Sequence, residues 1–159
     1  MAGFFHITLA KSMLIRKTQA DDLPHLFTLR SRTRENPLSL SQLEALGITL
    51  DSAAVALERG WHVGWLCELN ENYAGFCAVD IRSGEMLVLA VAPEYEGLGI
   101  GRQLLEQAVA TLQAHGVPRI WLSAVPDPRL RAYGFYRSQG WHSVQVLSAD
   151  EEIMEYGLN

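Results

Sequence analysis

Three glycines spaced two residues apart, at positions 97, 99 and 101, are the residues of this sequence that most clearly favour ligand binding. They follow a nearly unbroken apolar run from Met86 to Ala92, which predicts a buried strand. From Ile100 onward, apolar residues recur at the spacing of an amphipathic helix. A glycine-rich turn at the start of a helix leaves backbone N–H groups unpaired at the positive end of the helix dipole. Because glycine also lets a ligand approach the backbone closely, the sequence predicts a site for phosphate groups.

Two common nucleotide-binding motifs do not fit this spacing. A P-loop requires lysine followed by serine or threonine after its last glycine, where this chain has Arg102 and Gln103. A dinucleotide fingerprint requires its third glycine at position 102, which is arginine here. Both motifs are therefore excluded.

The stretch instead resembles the signature of the GNAT acetyltransferases, in which a strand ending in Val-x-Pro-x-Tyr is followed by a Gln/Arg-x-x-Gly-x-Gly/Ala turn that opens a helix. The matching positions, all inside that strand–turn–helix context, are Val91, Pro93, Tyr95, Gly99 and Gly101. The resemblance implies that the turn wraps the pyrophosphate of acetyl-CoA, with cofactor contacts from Gly97, Leu98, Gly99, Ile100, Gly101 and Arg102. It also implies that the pantetheine arm pairs, like an added strand, with the backbone of Leu89, Ala90 and Val91.

One position departs from the family pattern, since Glu96 stands where Gln or Arg is usual. A carboxylate about 4 Å from a phosphate would cost about 4 kcal/mol at an effective dielectric constant of about 20. A helix dipole returns only about 0.3–2 kcal/mol. We therefore expect Glu96 to face solvent or a cation such as Arg102, and we expect its presence to weaken CoA binding.

A second match lies near the carboxyl terminus. The family pattern Ala-x-x-Leu/Phe-Tyr-x-x-x-Gly-Phe is similar to the residues Ala132, Phe135, Tyr136, Gly140 and Trp141. In the family this tyrosine protonates the departing CoA thiolate, so the resemblance implies that Tyr136 is a catalytic acid, and a phenol is a suitable donor to an alkyl thiolate. The alternative is a tyrosine that only packs its ring on the core helix. Arg129 replaces an asparagine that the family often has, and it could contact a CoA phosphate instead.

Acetylation of an amine also requires a group that accepts the proton of the ammonium form, and a carboxylate commonly does so, directly or through a water. By its distance from the glycine turn, Glu85 corresponds to the general base of the histone-acetyltransferase branch of the family. Another branch carries a glutamate on the next strand, where this chain has Ser123 and Ala124. Two alternatives stay open: Glu85 as an exposed turn residue, and a water chain as the base.

The strands that position these residues are predicted from runs of apolar and β-branched side chains. Before the core strand they lie at 14–17, 61–69 and 73–81, with a turn at 70–72. Their short connections predict an antiparallel meander. After the core helix, a strand at 120–125 is expected to run parallel to the core strand, and two more strands lie between 141 and 158.

The remaining helices are predicted from capping residues and apolar periodicity. Capping boxes are expected at Thr18 with Asp21 and at Ser41 with Glu44, a further cap at Thr49 or Asp51, and a helix at 130–139. The predicted fold class is α/β, more strictly α+β. It is a GNAT-like single domain with a mixed, mostly antiparallel central sheet flanked by helices.

The composition narrows the range of functions. The chain has 159 residues, a net charge of −5 and 19% charged residues, which is typical of one globular domain. Its negative charge argues against a nucleic-acid partner and weakly favours a cationic substrate. No apolar stretch approaches the roughly 18 residues of a membrane helix. Neither the histidines nor Cys67 and Cys77 show metal-ligand spacing, so no metal is expected, and buried reduced thiols favour a cytoplasmic location.

Residues 1–12 lack the basic leader and cleavage site of a signal peptide. We interpret them as an N-terminal extension of little structural role, followed by the acetyltransferase domain at 13–159. By family habit, the terminal strands also allow a homodimer.

The sequence therefore predicts an N-acetyltransferase that moves the acetyl group of acetyl-CoA directly to a primary amine of a small molecule or peptide. The alternative is a non-catalytic module of the same fold that binds or senses acyl-CoA. The acceptor itself is not specified. Arg30, Arg32 and Arg34 are interpreted as a solvated helix end, with contact to an acidic substrate as the alternative.

Overall fold

A seven-stranded sheet runs through residues 12–157, the part of the chain that the structure, a computed structural model, describes. Its strands are β1 (Met13–Lys17), β2 (His62–Leu69), β3 (Asn72–Asp80), β4 (Glu85–Val91), β5 (Trp121–Ala124), β6 (Trp141–Ser148) and β7 (Glu151–Tyr156). The order across the sheet is β1-β2-β3-β4-β5-β7-β6. β4 and β5 are parallel, whereas the other neighbouring strands are antiparallel. The predicted fold, a mostly antiparallel sheet flanked by helices, is confirmed.

Helices cover both faces of the sheet. They are α1 (Leu23–Arg30), α2 (Leu40–Ala45), α3 (Leu50–Glu58), α4 (Ile100–Ala114) and α5 (Arg131–Ser138). The apolar stripe of α4, from Ile100 through Leu104 and Ala108 to Leu112, is buried in the larger core cluster. Leu26 and Leu29 of α1 pack in a second cluster with residues of β2, β3 and β4. Strand β4 therefore lies between the two helices that frame the predicted site.

Two predicted capping boxes are wrong by one or two residues. The first forms between Gln19 and Asp22 rather than between Thr18 and Asp21. The second forms between Ser39 and Gln42 rather than between Ser41 and Glu44. The first shift has a tertiary cause, because the Asp22 carboxylate also accepts hydrogen bonds from Arg16 and Tyr73. The third cap is at Thr49, one of its two predicted positions.

Strands β4 and β5 are joined at one end and separate at the other. Their ladder contains one residue pair, Glu85 with Trp121. The junction depends on Gly84, whose φ is +80° and whose position leaves no room for a Cβ beside the Arg119 carbonyl. Trp121 closes it with a backbone bond to Gly84 O at 3.1 Å and an indole bond to Ser83 O at 3.0 Å. Beyond this junction, the edge of β4 that faces β5 has no strand partner among the described residues.

Part of the predicted N-terminal extension lies outside the described residues, namely 1–11. Ser12 is described and exchanges two hydrogen bonds with Asn70 at the β2–β3 turn. Within residues 12–157, no helix has the length and apolar character needed to cross a bilayer. The same residues contain no group of three or more His, Cys, Asp or Glu side chains arranged to hold a metal ion.

Candidate active site

A cavity of about 800 Å³ opens where β4 and β5 separate. Its floor is β4 from Met86 to Val91, which includes the predicted cofactor contacts Leu89, Ala90 and Val91. The glycine turn and the start of α4 form one wall, and α5 with the segment after α1 forms the others. The cavity is within the size range of clefts that bind small-molecule ligands and cofactors.

The backbone of β4 presents hydrogen-bonding groups to this cavity. Ala92 N–H donates to Ala74 O of β3 at 2.8 Å. Because N–H groups alternate in direction along a strand, those of Leu89 and Val91 point away from β3 and into the gap beside β5. A ligand with amide groups can therefore bond to this edge as an added strand would.

The glycine turn has the geometry of an anion site. Gly97 and Gly99 adopt φ angles of +80° and +82°, and the first helical bond runs from Gln103 N to Gly99 O. Within residues 12–157, no protein acceptor bonds to the N–H groups of residues 97–102. Gly97, Gly99, Ile100, Gly101 and Arg102 line the cavity, whereas the Leu98 side chain is exposed and lies outside it. A diphosphate fits this turn, because unpaired N–H groups and open glycine positions are what such an anion requires.

Glu96 lines the cavity and is neutralised there by two arginines. Its Oε1 accepts a hydrogen bond from Arg34 Nε at 2.8 Å. It also forms an ion pair with Arg131, with an Nη1–Oε1 distance of 2.9 Å. Arg102, which the sequence suggested as its partner, is not one of them. The cluster carries one carboxylate and two guanidinium groups, so Glu96 does not leave a net negative charge beside the turn. Sequence reasoning missed both arginines because they are distant in the chain.

The segment at 31–37, after α1, is held beside the cavity by three polar contacts. Arg34 binds Glu96, and Arg32 binds Glu94 at 3.4 Å. The Glu35 carboxylate accepts from the backbone N–H of Arg131 at 3.0 and 3.1 Å, so it caps the first turn of α5. These contacts connect the end of α1 to the glycine turn and to the helix that carries Tyr136.

Tyr136 reaches the cavity from α5 with its ring held in place. The ring packs edge-on against Phe135 and Trp141, at centroid distances of 5.4 and 6.0 Å. No described residue accepts a hydrogen bond from its hydroxyl, although the residue is 9% exposed and lines the cavity. Burial raises the pKa of Tyr136, as does the neighbouring Cys77, whereas the charge of Arg30 lowers it. The hydroxyl therefore remains protonated at neutral pH and is available to a ligand.

Glu85 lies at the junction of β4 and β5, half-buried, and is not among the residues that line the cavity. Its backbone N–H donates to Ser83 Oγ at 3.3 Å. Burial raises the pKa of the Glu85 carboxyl, and the charges of Asp80 and Glu151 raise it further. A carboxylate with a raised pKa is a better proton acceptor, and from this position it would act on a cavity ligand through water.

Arg129, another predicted cofactor contact, pairs with a neighbouring carboxylate at the surface. Its side chain is 88% exposed and holds Asp127 with an Nη2–Oδ2 distance of 2.8 Å. It is not among the residues that line the cavity. Arg131, two residues further along, is the arginine of this region that does line it.

Comparison with known proteins identifies the family. The Acetyltransferase (GNAT) family matches residues 24–141, which contain the cleft, the glycine turn and Tyr136. This chain belongs to that family. Mycothiol acetyltransferase of Beutenbergia cavernae is 39% identical over 67 residues, which are 42% of this chain but 22% of that protein. Two other curated relatives match over 27% and 24% of their length, so the chain spans about a quarter of the relatives it matches.

Solved structures of the GNAT fold superpose on nearly the whole chain. The PaiA N-acetyltransferase of Thermoplasma acidophilum, in complex with coenzyme A, gives a TM-score of 0.76 at 21% identity, over 92% of this chain and 99% of that one. A GNAT acetyltransferase of Staphylococcus aureus gives 0.72 at 17% identity, over 93% and 100%. These likenesses confirm the GNAT fold. Coenzyme A is bound in the PaiA structure, and acetyl-CoA as the co-substrate agrees with membership of the acetyltransferase family.

Proposed function

We propose that this GNAT protein transfers the acetyl group of acetyl-CoA directly to a primary amine of a small molecule or peptide. The observation that supports this most strongly is the shared cavity, which is lined by residues of β4, by residues of the glycine turn and by Tyr136. A direct transfer is favoured because Cys67 and Cys77 are buried and burial raises the pKa of both thiols, to about 12 for Cys77. Neither thiol is a ready nucleophile. Reduced buried thiols also favour a cytoplasmic location.

Each residue of the site would have a separate role in the reaction. Acetyl-CoA supplies the thioester carbonyl, which the amine nitrogen attacks. The turn amides bind the pyrophosphate, and the N–H of Val91 donates to the thioester oxygen as its negative charge develops. A new N–C bond forms as the C–S bond breaks, and Tyr136 gives its proton to the departing sulfur. The second proton that the nitrogen loses as the amide forms restores the Tyr136 hydroxyl through water. The ammonium proton passes to Glu85 through water, or to a water chain alone. A contact between Arg129 and a CoA phosphate stays a prediction.

Glu85→Gln tests the assignment of the base. We expect kcat to fall by about 100-fold or more, because general-base catalysis contributes about 100- to 10,000-fold. In the wild type, activity should rise with pH through a pKa above the ordinary glutamate value, since the pKa of Glu85 is raised. The variant should lose this rise. Release of the CoA thiol, followed across a panel of amines and pH values, measures both effects.

The matched control is Glu106→Gln, which removes an exposed carboxylate from α4 and should leave the pH profile unchanged. An unchanged profile in Glu85→Gln would reject Glu85 and leave the water chain as the base.

A second candidate, a module that binds acyl-CoA without transferring it, is favoured by the position of Glu85 outside the cavity lining. That function predicts tight binding of acetyl-CoA without thiol release in the presence of any amine.

A further inference from the structure

Arg30 is the one arginine of the cavity wall that is half-buried and without a carboxylate partner among residues 12–157. Arg34 and Arg131 share the carboxylate of Glu96, and Arg102 is exposed at the glycine turn. Arg30 ends α1, and its Nη1 donates to Asn36 O at 2.6 Å and contacts Thr33 Oγ1 at 3.5 Å. These partners are neutral, so the positive charge of the guanidinium is uncompensated.

The location of this charge coincides with the expected reaction centre. Arg30 and Tyr136 line the same cavity, and they interact electrostatically. Partial burial desolvates the Arg30 guanidinium and lowers its pKa, although an arginine remains charged at any physiological pH. A half-buried cation without a counter-charge is costly in a ligand cavity unless a ligand supplies that charge.

We propose that Arg30 binds a carboxylate of the acceptor, so that the substrate is an amine that bears a carboxylate near the reacting nitrogen, as an amino acid does. This inference rests on the proposed acetyl transfer. A single free guanidinium matches one monoanion, and its planar fork suits a carboxylate in two-point contact. A phosphate dianion would favour a second guanidinium beside Arg30, whereas Arg34 and Arg131 already contact the Glu96 carboxylate. The choice of acceptor substrate then depends on the local charge of Arg30 and not on the net negative charge of the protein.

The test compares amino acids with their α-amides as acceptors. The two members of each pair have the same size and the same attacking nitrogen. The amine of the amide is less basic and therefore less protonated at neutral pH, so a preference for the acid must come from the protein. We expect kcat/KM to favour the acid by about 10- to 100-fold for the best pair, as for a hydrogen bond between charged groups.

Three variants locate the source of that preference. In Arg30→Gln, which keeps hydrogen-bond donors but removes the charge, the ratio should fall close to one. Arg30→Lys keeps the charge without the fork and should give an intermediate ratio. The matched control is Arg32→Gln, because Arg32 lies on the same segment but outside this cavity, and it should keep the wild-type ratio. Equal use of acids and amides by the wild type, or an unchanged ratio in Arg30→Gln, would overturn the proposal.

A binding measurement separates this proposal from the acetyl transfer itself. The protein saturated with CoA is titrated with the same acids and amides, and the acid should bind at least about tenfold more tightly in the wild type than in Arg30→Gln. If no amine is acetylated but this discrimination is present, the proposed function fails and the carboxylate site stands. If the wild type and Arg30→Gln bind the acid equally tightly, or if the wild type binds the acid and the amide equally tightly, the proposed carboxylate site is wrong.

The acyl donor is the other source of a carboxylate at this position. Succinyl-CoA is therefore compared with acetyl-CoA in the wild type and in Arg30→Gln. We expect acetyl-CoA to be preferred by both proteins. A preference for succinyl-CoA that Arg30→Gln abolishes would assign the carboxylate to the donor and contradict the acceptor proposal.

Discussion

Replacing Tyr136 with phenylalanine is expected to lower kcat by about 100- to 10,000-fold, the usual contribution of a general acid. Tyr136 lines the cavity and its hydroxyl has no hydrogen-bond partner among residues 12–157, so its loss leaves no protein group unsatisfied. The ring contacts with Phe135 and Trp141 are retained by phenylalanine. The affinity for acetyl-CoA and the melting temperature should therefore change little. Steady-state kinetics and calorimetric titration with acetyl-CoA measure the two effects separately.

The pH dependence of the same enzyme tests this role from another direction. Because the pKa of Tyr136 is raised, the acid stays protonated to a higher pH than an ordinary tyrosine would. The alkaline fall of kcat should therefore lie above about pH 10, the ordinary tyrosine pKa. The matched control is Tyr133→Phe on the same helix, whose ring lies against Arg137 and outside the cavity. Equal losses in the two variants, or full activity in Tyr136→Phe, would reject the assignment.

Replacing Asp22 with asparagine is expected to destabilise the fold by about 3 kcal/mol, as is typical when one partner of a buried ion pair is removed. The carboxylate is 5% exposed and accepts two hydrogen bonds from Arg16, at 2.8 and 2.9 Å. It also accepts from Gln19 N and Tyr73 Oη, each at 2.8 Å. Asparagine cannot accept all four, and it leaves Arg16 with only the weaker Glu68 contact at 3.4 Å. Urea unfolding measures the loss in the free energy of unfolding. The melting temperature should fall by roughly 10 °C.

The pH dependence of this stabilisation follows from the direction in which the pKa of Asp22 is shifted. Arg16 holds the pKa of Asp22 well below its ordinary value. The folded state therefore gains stability at pH values above the unfolded carboxyl pKa of about 3.9, and this gain is lost as the pH falls toward the folded pKa. The difference between wild type and Asp22→Asn should shrink below about pH 4. Glu68→Gln is the control, because Glu68 is a weaker, 3.4 Å partner of the same arginine and its loss should cost at most about 1 kcal/mol. Equal losses in both variants would contradict the assigned role of Asp22.

The parts of the structure that the sequence predicts well are those determined by local chemistry. The glycine turn and the start of α4 follow from residue spacing alone, because only glycine adopts the positive φ angles of Gly97 and Gly99 without strain. Strand order near β4 follows from short connections and one helical crossover. The sequence puts the first capping box one residue early because Thr18 is a preferred cap residue and Gln19 is not. The contact of Asp22 with Arg16 accompanies the box at Gln19.

The parts that could not be predicted depend on contacts between distant residues. The partners of Glu96 are separated from it by long stretches of chain, and no local pattern relates them. The burial of Arg30 depends on how the segment after α1 folds over the cavity. The gap beside β4 depends on the register of β5, in which a single pair forms at Glu85 and Trp121. Residue spacing therefore predicts the glycine turn but not the charged side chains that surround it.

The central claim is that acetyl-CoA binds in the gap between β4 and β5 with its pyrophosphate on the glycine turn. An amide-resolved NMR titration of the 17.7 kDa protein with acetyl-CoA tests it most directly. We predict saturable shifts at one equivalent, with micromolar affinity, largest for the N–H groups of Leu89, Val91 and residues 97–102. The absence of shifts at millimolar acetyl-CoA, or shifts confined to residues away from this gap such as His25 and Thr28, would contradict the account.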